Sequence, residues 1–193
     1  MSILYLETAT NRAVLFFEGE RVLLDGGPSL SRHLTLAVKK MLDGRRPTAI
    51  AVGQGPGSFT GVRVGAALAI GLALGWGLPL YGFCSLTAFA PIIGPWAVLF
   101  DARTPGVYVL TSEWDKPQLL TRAEALEQLR DIPHLASHHP EKLGLPLAVQ
   151  AAVAHPERAP LGPLKIVYLE RKLYPGVQSE TLLNPIGNSQ CPA

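Results

Sequence analysis

Several residue types that mark particular kinds of protein are scarce in this sequence. Its 193 residues include two cysteines, Cys84 and Cys191, the second almost at the terminus. That spacing excludes a disulfide framework and a zinc ribbon, and a reducing cytoplasm is the expected setting. The opening MSILYLETAT has no basic region followed by a long apolar run, so no signal peptide is expected. Charged residues make up only 17% and the net charge is +2, too little to argue for a nucleic-acid or membrane surface. The one local basic cluster, Arg45-Arg46, precedes Pro47 and reads as a solvated turn. Between Val64 and Phe100 there is no Asp, Glu, Lys or Arg at all, a stretch long enough to cross a bilayer. Gly75, Gly77 and Pro79 interrupt it, alanine and glycine dominate it, and no polybasic flank follows. It is therefore expected to be a core helix packed on a sheet, not a membrane span.

What is plentiful is apolar surface, at 48% of residues. A chain of this length buries a real core, as one domain or two small lobes. Ile3 to Leu6, Ala13 to Phe17 and Arg21 to Leu24 read as three successive strands, with a polar turn at Thr8–Arg12. Leu34, Val38, Met41 and Leu42 fall at helical spacing within a helix over Ser31–Leu42, while Leu36 and His33 lie off that stripe. Thr48 to Val52 is a buried parallel strand, followed by a helix over Thr60–Leu74 and a short strand at Leu80–Gly82. Ser85 is expected to cap the helical segment after it. Gly94-Pro95 marks a boundary between lobes at 1–94 and 95–175. Beyond it, Trp96–Phe100 and Val107–Thr111 read as strands, and Thr121 with Glu124 as a capping box opening a helix. Ile132 to Pro163 is expected to form loops with one short helix near Leu147–Ala154, and Lys165 to Leu169 a last strand. Residues 176–193 are expected to be a disordered tail. No internal repeat is visible.

The most distinctive segment is Gly53-Gln54-Gly55-Pro56-Gly57-Ser58-Phe59-Thr60-Gly61. Its glycines permit positive φ and close backbone approach, and Thr60 is placed to cap the next helix. Free N–H groups at a helix start attract anions. Yet no Gly-Lys-Ser/Thr follows, so this is no P-loop, and Pro56 spoils a hydrolase elbow. Glycines that serve packing are the competing reading.

GQGPGSFTGVRVG closely resembles the TsaB family, formerly YeaZ. The likeness extends to ILYLETATNRAVLFF, to the helix end GLPLYGFCSL, to Asp101-Ala102-Arg103 with Val107-Tyr108-Val109, and to Val167-Tyr168-Leu169-Glu170-Arg171. The resemblance implies an α/β fold of the ribonuclease-H-like or actin-like ATPase superfamily, in two lobes, the C-terminal one shortened. It implies a non-catalytic subunit that supports the TsaD transferase in making threonylcarbamoyladenosine next to the tRNA anticodon. TsaD and a TsaE-type ATPase are the partners it implies. A homodimer is an alternative when the chain is alone, and tRNA is met only through the complex. No cofactor is firmly implied; ATP or ADP at a heteromeric interface is the one candidate. Three departures stand out. Glu7 replaces the family's usual Asp, His33 is followed by Leu34 where the family tends to have Ser, and the second half is short.

Catalytic candidates are isolated. Glu7 and Asp101 are the carboxylates an active phosphotransferase would need, against simpler roles at a strand end and a turn. His134 and His138 have the i, i+4 spacing of a metal pair on a helix, but lie in a proline-flanked stretch with no adjacent glutamate and read better as loop histidines. Catalytic and metal residues are thus expected to be absent. An independent ATP-dependent phosphotransferase or metallopeptidase is the alternative. The partner interface is assigned to Leu34, Val38, Met41, Gly61, Gly65 and Ala67, with Gly61 and Gly65 allowing a partner helix to approach closely and Gly65→Trp blocking it.

Overall fold

The structure is a computed structural model that describes residues 1–92, 94–102, 106–137, 149–151 and 153–167. Two five-stranded sheets organise it. In the first, β1 (Ile3–Glu7), β2 (Arg12–Phe17) and β3 (Glu20–Asp25) form an antiparallel meander. Helix α1 (Leu30–Leu42) then carries the chain to β4 (Ala49–Gly53), which pairs parallel with β1. Helix α2 (Phe59–Trp76) leads to β5 (Leu80–Phe83), parallel to β4, so the order is β3-β2-β1-β4-β5. Two parallel crossovers need intervening helices, and the sequence supplies one for each.

The second sheet repeats that plan. β6 (Trp96–Asp101), β7 (Val107–Thr111) and β8 (Gln118–Leu120) form the meander, and α3 (Arg122–Gln128) follows. β9 (His134–Ser137) pairs parallel with β6, and β10 (Val149–Ala151) parallel with β9. The order, read from the meander end, is β8-β7-β6-β9-β10, which matches the first sheet strand for strand. This duplicated arrangement is invisible in the residues themselves. It also corrects two expectations: 134–137 is a strand within the stretch read as loop, and 149–151 is a strand where a short helix was expected. Lys165 to Val167 forms no strand; the rest of that segment, and 176–193, lie outside the described residues.

The capping box at Thr121 is formed: its hydroxyl accepts from the Glu124 N–H at 3.1 Å and the Glu124 carboxylate accepts from the Thr121 N–H at 2.6 Å. Thr121→Ala is expected to cost about 1 kcal/mol in a urea melt.

One core lies between the first sheet and its helices, centred on Leu4, Leu15, Phe17, Leu34, Val38 and Ile50. Another joins the lobes through Phe83, Leu86, Phe89, Val98 and Phe100, with Phe89 and Phe100 edge-to-face at 4.9 Å. The chain after β10 then returns across the first lobe as a strap. Arg21 of β3 reaches His155 Nδ1 at 2.7 Å and Glu157 at 3.3 Å. Gly162 and Gly82 exchange backbone hydrogen bonds, and the Lys165 and Val167 N–H groups donate to the side-chain and backbone oxygens of Gln54. Gly82 has no Cβ because the Gln54 side chain occupies that space.

Candidate functional site

The ends of β1 and β4 and the start of α2 converge on the glycine turn. Glu7 closes β1 and is completely buried, one of the largest side chains in the interior. A Cβ on Gly53, the last residue of β4, would overlap the Glu7 carboxyl, so the strand must end in glycine for the carboxyl to fit. Glu7 Oε1 accepts from the Ala9 N–H at 2.6 Å, while Oε2 has no hydrogen-bond partner of ordinary geometry among the described residues. Burial pushes its pKa up to about 7; the Ala9 N–H, the Ser85 hydroxyl and the Thr8 N–H pull it back only in part. Ser85 is not the helix cap expected of it: its Oγ accepts from the Gly55 N–H at 3.0 Å and adjoins the Glu7 carboxyl. The following helical turn, Thr87–Phe89, is 3-10 and has no side-chain cap. Cys84 lies close by, and burial raises its thiol above the ordinary value, with Glu7 adding to the rise. It is thus held as a thiol, not a nucleophilic thiolate.

Ser58, not Thr60, caps α2, accepting from the Gly61 N–H at 3.3 Å while its own N–H donates to the Ala9 carbonyl at 2.6 Å. Gly61 and Gly65 face inward. A Cβ on Gly61 would overlap the Thr8 carbonyl oxygen, and one on Gly65 the Thr8 hydroxyl. These glycines bring α2 down onto the β1–β2 turn, which corrects the idea that they open a surface to a partner. For the same reason Gly65→Trp would disrupt the fold and cannot report on docking.

Leu34, Val38 and Met41 are likewise buried in the chain's own core. Of the six residues assigned to a partner interface, only Ala67 is exposed. The outward surface of α2 carries Phe59, Arg63, Ala67, Ile70 and Leu74, with Phe59 54%, Ile70 39% and Leu74 74% exposed. The Arg63 guanidinium lies over the Phe59 ring at 3.5 Å. α2 is long and apolar enough to cross a membrane by length and composition. Its inner face, however, is committed to the first lobe through Val62, Ala66, Ala69 and Ala73, leaving one side open.

Asp101 ends β6, the counterpart of β1, and so repeats the topological position of Glu7 in the second sheet. His134 sits on β9 with its ring against Gly94, and His138 lies outside the described residues. Among the described residues no group of three metal-ligating side chains forms. A recess of about 300 Å³ lies where α1 and α2 begin, its lining combining Thr10, Asn11, Ser31, Ser58 and Thr60 with apolar Leu30 and Val64. The residues lining it include no lysine or arginine.

An antiparallel meander with two parallel strands added beside its first strand, in the same order in both sheets, defines an α/β protein of the ribonuclease-H-like, actin-like class. YeaZ from Pseudomonas aeruginosa shares this fold, with a TM-score of 0.61 and 22% identity over 80% of this chain and 86% of that one. A family model described as TsaD: tRNA N6-adenosine threonylcarbamoyltransferase matches residues 31–150, more than half of the sequence. The chain is 54% identical over 68 residues to the tRNA threonylcarbamoyladenosine biosynthesis protein TsaB of Escherichia coli, covering 31% of this chain and 29% of that protein. It is 37% identical over 101 residues to the Haemophilus influenzae protein of the same name, covering 47% and 42%. An uncharacterized protein of Mycobacterium tuberculosis is 35% identical over 120 residues, covering 55% of this chain and 57% of its own length. The chain belongs to this threonylcarbamoyltransferase-related family, on its TsaB (YeaZ) side. It spans about half the length, or less, of these curated relatives.

Proposed function

We propose that the chain is an accessory subunit in threonylcarbamoylation of tRNA adenosine, docking on a TsaD-type transferase through the outer surface of α1 and α2. The observation that carries the docking is the apolar outer side of α2. A helix whose inner side is already packed has no fold-internal use for exposed Phe59, Ile70 and Leu74 on the other. The accessory role is supported by Glu7. The carboxyl at the end of the central strand is sealed from solvent, so neither substrate nor metal reaches it. Any ATP or ADP in the assembly takes its cationic contacts from the partner, because the recess at the starts of α1 and α2 is lined by no lysine or arginine. A TsaE-type ATPase joins through the transferase.

Ile70→Glu with Leu74→Glu tests this. Both side chains are exposed, so the variant folds, and binding to the TsaD-type subunit by titration calorimetry falls by about 2 kcal/mol or more, roughly 30-fold. Unchanged binding rejects the surface. ATP turnover by the isolated chain, lost in Asp101→Ala, would instead make it an enzyme in its own right.

A further inference from the structure

The strap that follows β10 meets the first sheet at a cluster of charged and titratable side chains. Arg21 of β3 donates to His155 Nδ1 at 2.7 Å, and the same ring nitrogen lies 3.0 Å from Oε1 of Glu157. A guanidinium N–H can only donate and a carboxylate oxygen can only accept, so one nitrogen cannot satisfy both. Neutral His155, with its proton on Nε2, accepts from Arg21 and turns the same lone pair toward the Glu157 carboxylate. Protonated His155 donates from Nδ1 to Glu157 and sets its charge against the guanidinium. Arg21 Nε and Glu157 Oε2 are both buried with no hydrogen-bond partner among the described residues, which sharpens the competition.

His155 and Glu157 belong to the strap, whereas Arg21 belongs to the first lobe. Protonation therefore satisfies the strap within itself and takes from Arg21 the nitrogen that ties the two together. What is left to Arg21 is its 3.3 Å contact with Glu157 Oε1, an oxygen the imidazolium now uses. The surrounding groups do not replace the lost bond. Arg158, 3.9 Å from the same oxygen, is itself on the strap. Among the elements packed against Pro156–Arg158, β1 supplies Tyr5, whose hydroxyl is raised above its ordinary value by burial and then by the Glu157 charge, and so stays neutral. The one charged residue of β2, Arg12, pairs with Asp25 of β3, and Glu20 of β3 pairs with Arg45. Thr87–Phe89 contains no titratable group. The imidazole is 28% exposed, so a proton reaches it from solvent with the strap in place.

We infer that Arg21, His155 and Glu157 form a proton-sensitive latch, closed when His155 is neutral, that holds the strap against the first sheet and, through Gly162 and Val167, against Gly82 and the glycine turn. Histidine is the side chain that ordinarily changes charge between about pH 5 and 8. Falling pH opens the latch. Glu7 works in the other direction, because its buried carboxyl is favoured in its protonated form. A loss of order in acid that is confined to the strap therefore does not come from Glu7.

Hydrogen exchange at the Gly162 and Val167 amides, which donate to the Gly82 and Gln54 carbonyls, reads the latch. Their protection, taken relative to unstructured-peptide rates, is expected to fall about tenfold between about pH 7.5 and pH 5, the size of one charge-assisted hydrogen bond. The β4 amides stay protected. His155→Asn sets an amide oxygen near the place of Nδ1, where it accepts from Arg21 and takes no proton; its protection should be equal at both pH values. Arg21→Gln is too short to reach the strap and should show the lower protection at both. Arg21 and His155 are partly exposed, so both variants fold. The latch is overturned if wild-type protection is unchanged in acid, Arg21 then having rebonded to Glu157, or if His155→Asn loses protection as the wild type does. Imidazole nitrogen shifts at the higher pH that place the proton on Nδ1 would also overturn it.

Discussion

Glu7→Gln is expected to stabilise the protein by about 3 kcal/mol at pH 8 and by almost nothing at pH 4. The sign follows from where the proton sits. An exposed glutamate in the unfolded chain ionises near 4.5, but in the folded chain burial holds the Glu7 carboxyl to about 7. Between those values the folded state keeps a proton that the unfolded state has released. The contribution of Glu7 to stability is therefore full below pH 4.5, declines as pH rises, and is lost by the time pH has passed through 7. Above that, folding must bury a carboxylate whose Oε2 has no hydrogen-bond partner of ordinary geometry among the described residues, at roughly 1.4 kcal/mol for each unit between the two pKa values. Glutamine has the same shape and no proton to lose. Its carbonyl can accept from the Ala9 N–H while its amide donates to the lone pair left on Ser85 Oγ. Urea melts of both proteins from pH 4 to 9 measure the difference directly, so other titrating groups cancel. Parallel curves would show that the carboxyl is not held near neutrality.

The second large effect sets four glycines of one helix against each other. Gly61→Ala is expected to destabilise by about 3 kcal/mol or more, because the added Cβ meets the backbone oxygen of Thr8, which cannot move aside without distorting β1 and its turn. Gly65→Ala meets the Thr8 side chain and has the same sign, with rotation of the threonine as partial relief. Gly71→Ala and Gly75→Ala have nothing within 4 Å and should stabilise by about 0.5–1 kcal/mol each, the ordinary preference of a helix for alanine. Thermal midpoints of the four variants decide it. A stabilised Gly61→Ala would mean that α2 does not sit on the β1–β2 turn as described.

Much of the first lobe was legible in the sequence because its signals are local. Apolar runs broken by Gly19, a helical stripe at Leu34, Val38 and Met41, and the glycine turn before α2 each announce an element within a dozen residues. The second lobe hides its plan. β8 and β10 are three residues each, and β9 sits between Pro133 and Pro140, so these strands exist through pairing onto β6 and its neighbours and not through their own propensity. The duplication of the sheet is a property of strand order, which leaves no trace in residue similarity.

At the site, periodicity showed that Gly61 and Gly65 share a face but not which way that face points. The direction is set by Thr8, more than fifty residues away in sequence. Glu7 was visible as a candidate carboxylate, but its burial depends on Gly53 and Ser85 together, and no local pattern records that. The exposed side of α2 was missed for a related reason: the helix is apolar all round, so its own pattern does not distinguish core from surface.

The strap has a consequence for how load passes through the molecule. Gln54 lies four residues before the cap of α2, and its two oxygens are anchored by backbone N–H groups from the far end of the described chain. The strap itself is pinned at Gly82 and by the Arg21–Glu157 pair. Force applied to α2 by a docked partner is thus shared with residues that follow the second sheet. The second lobe acts as a brace on the first, and a chain cut before Gly162 would present the same helix on a looser mount.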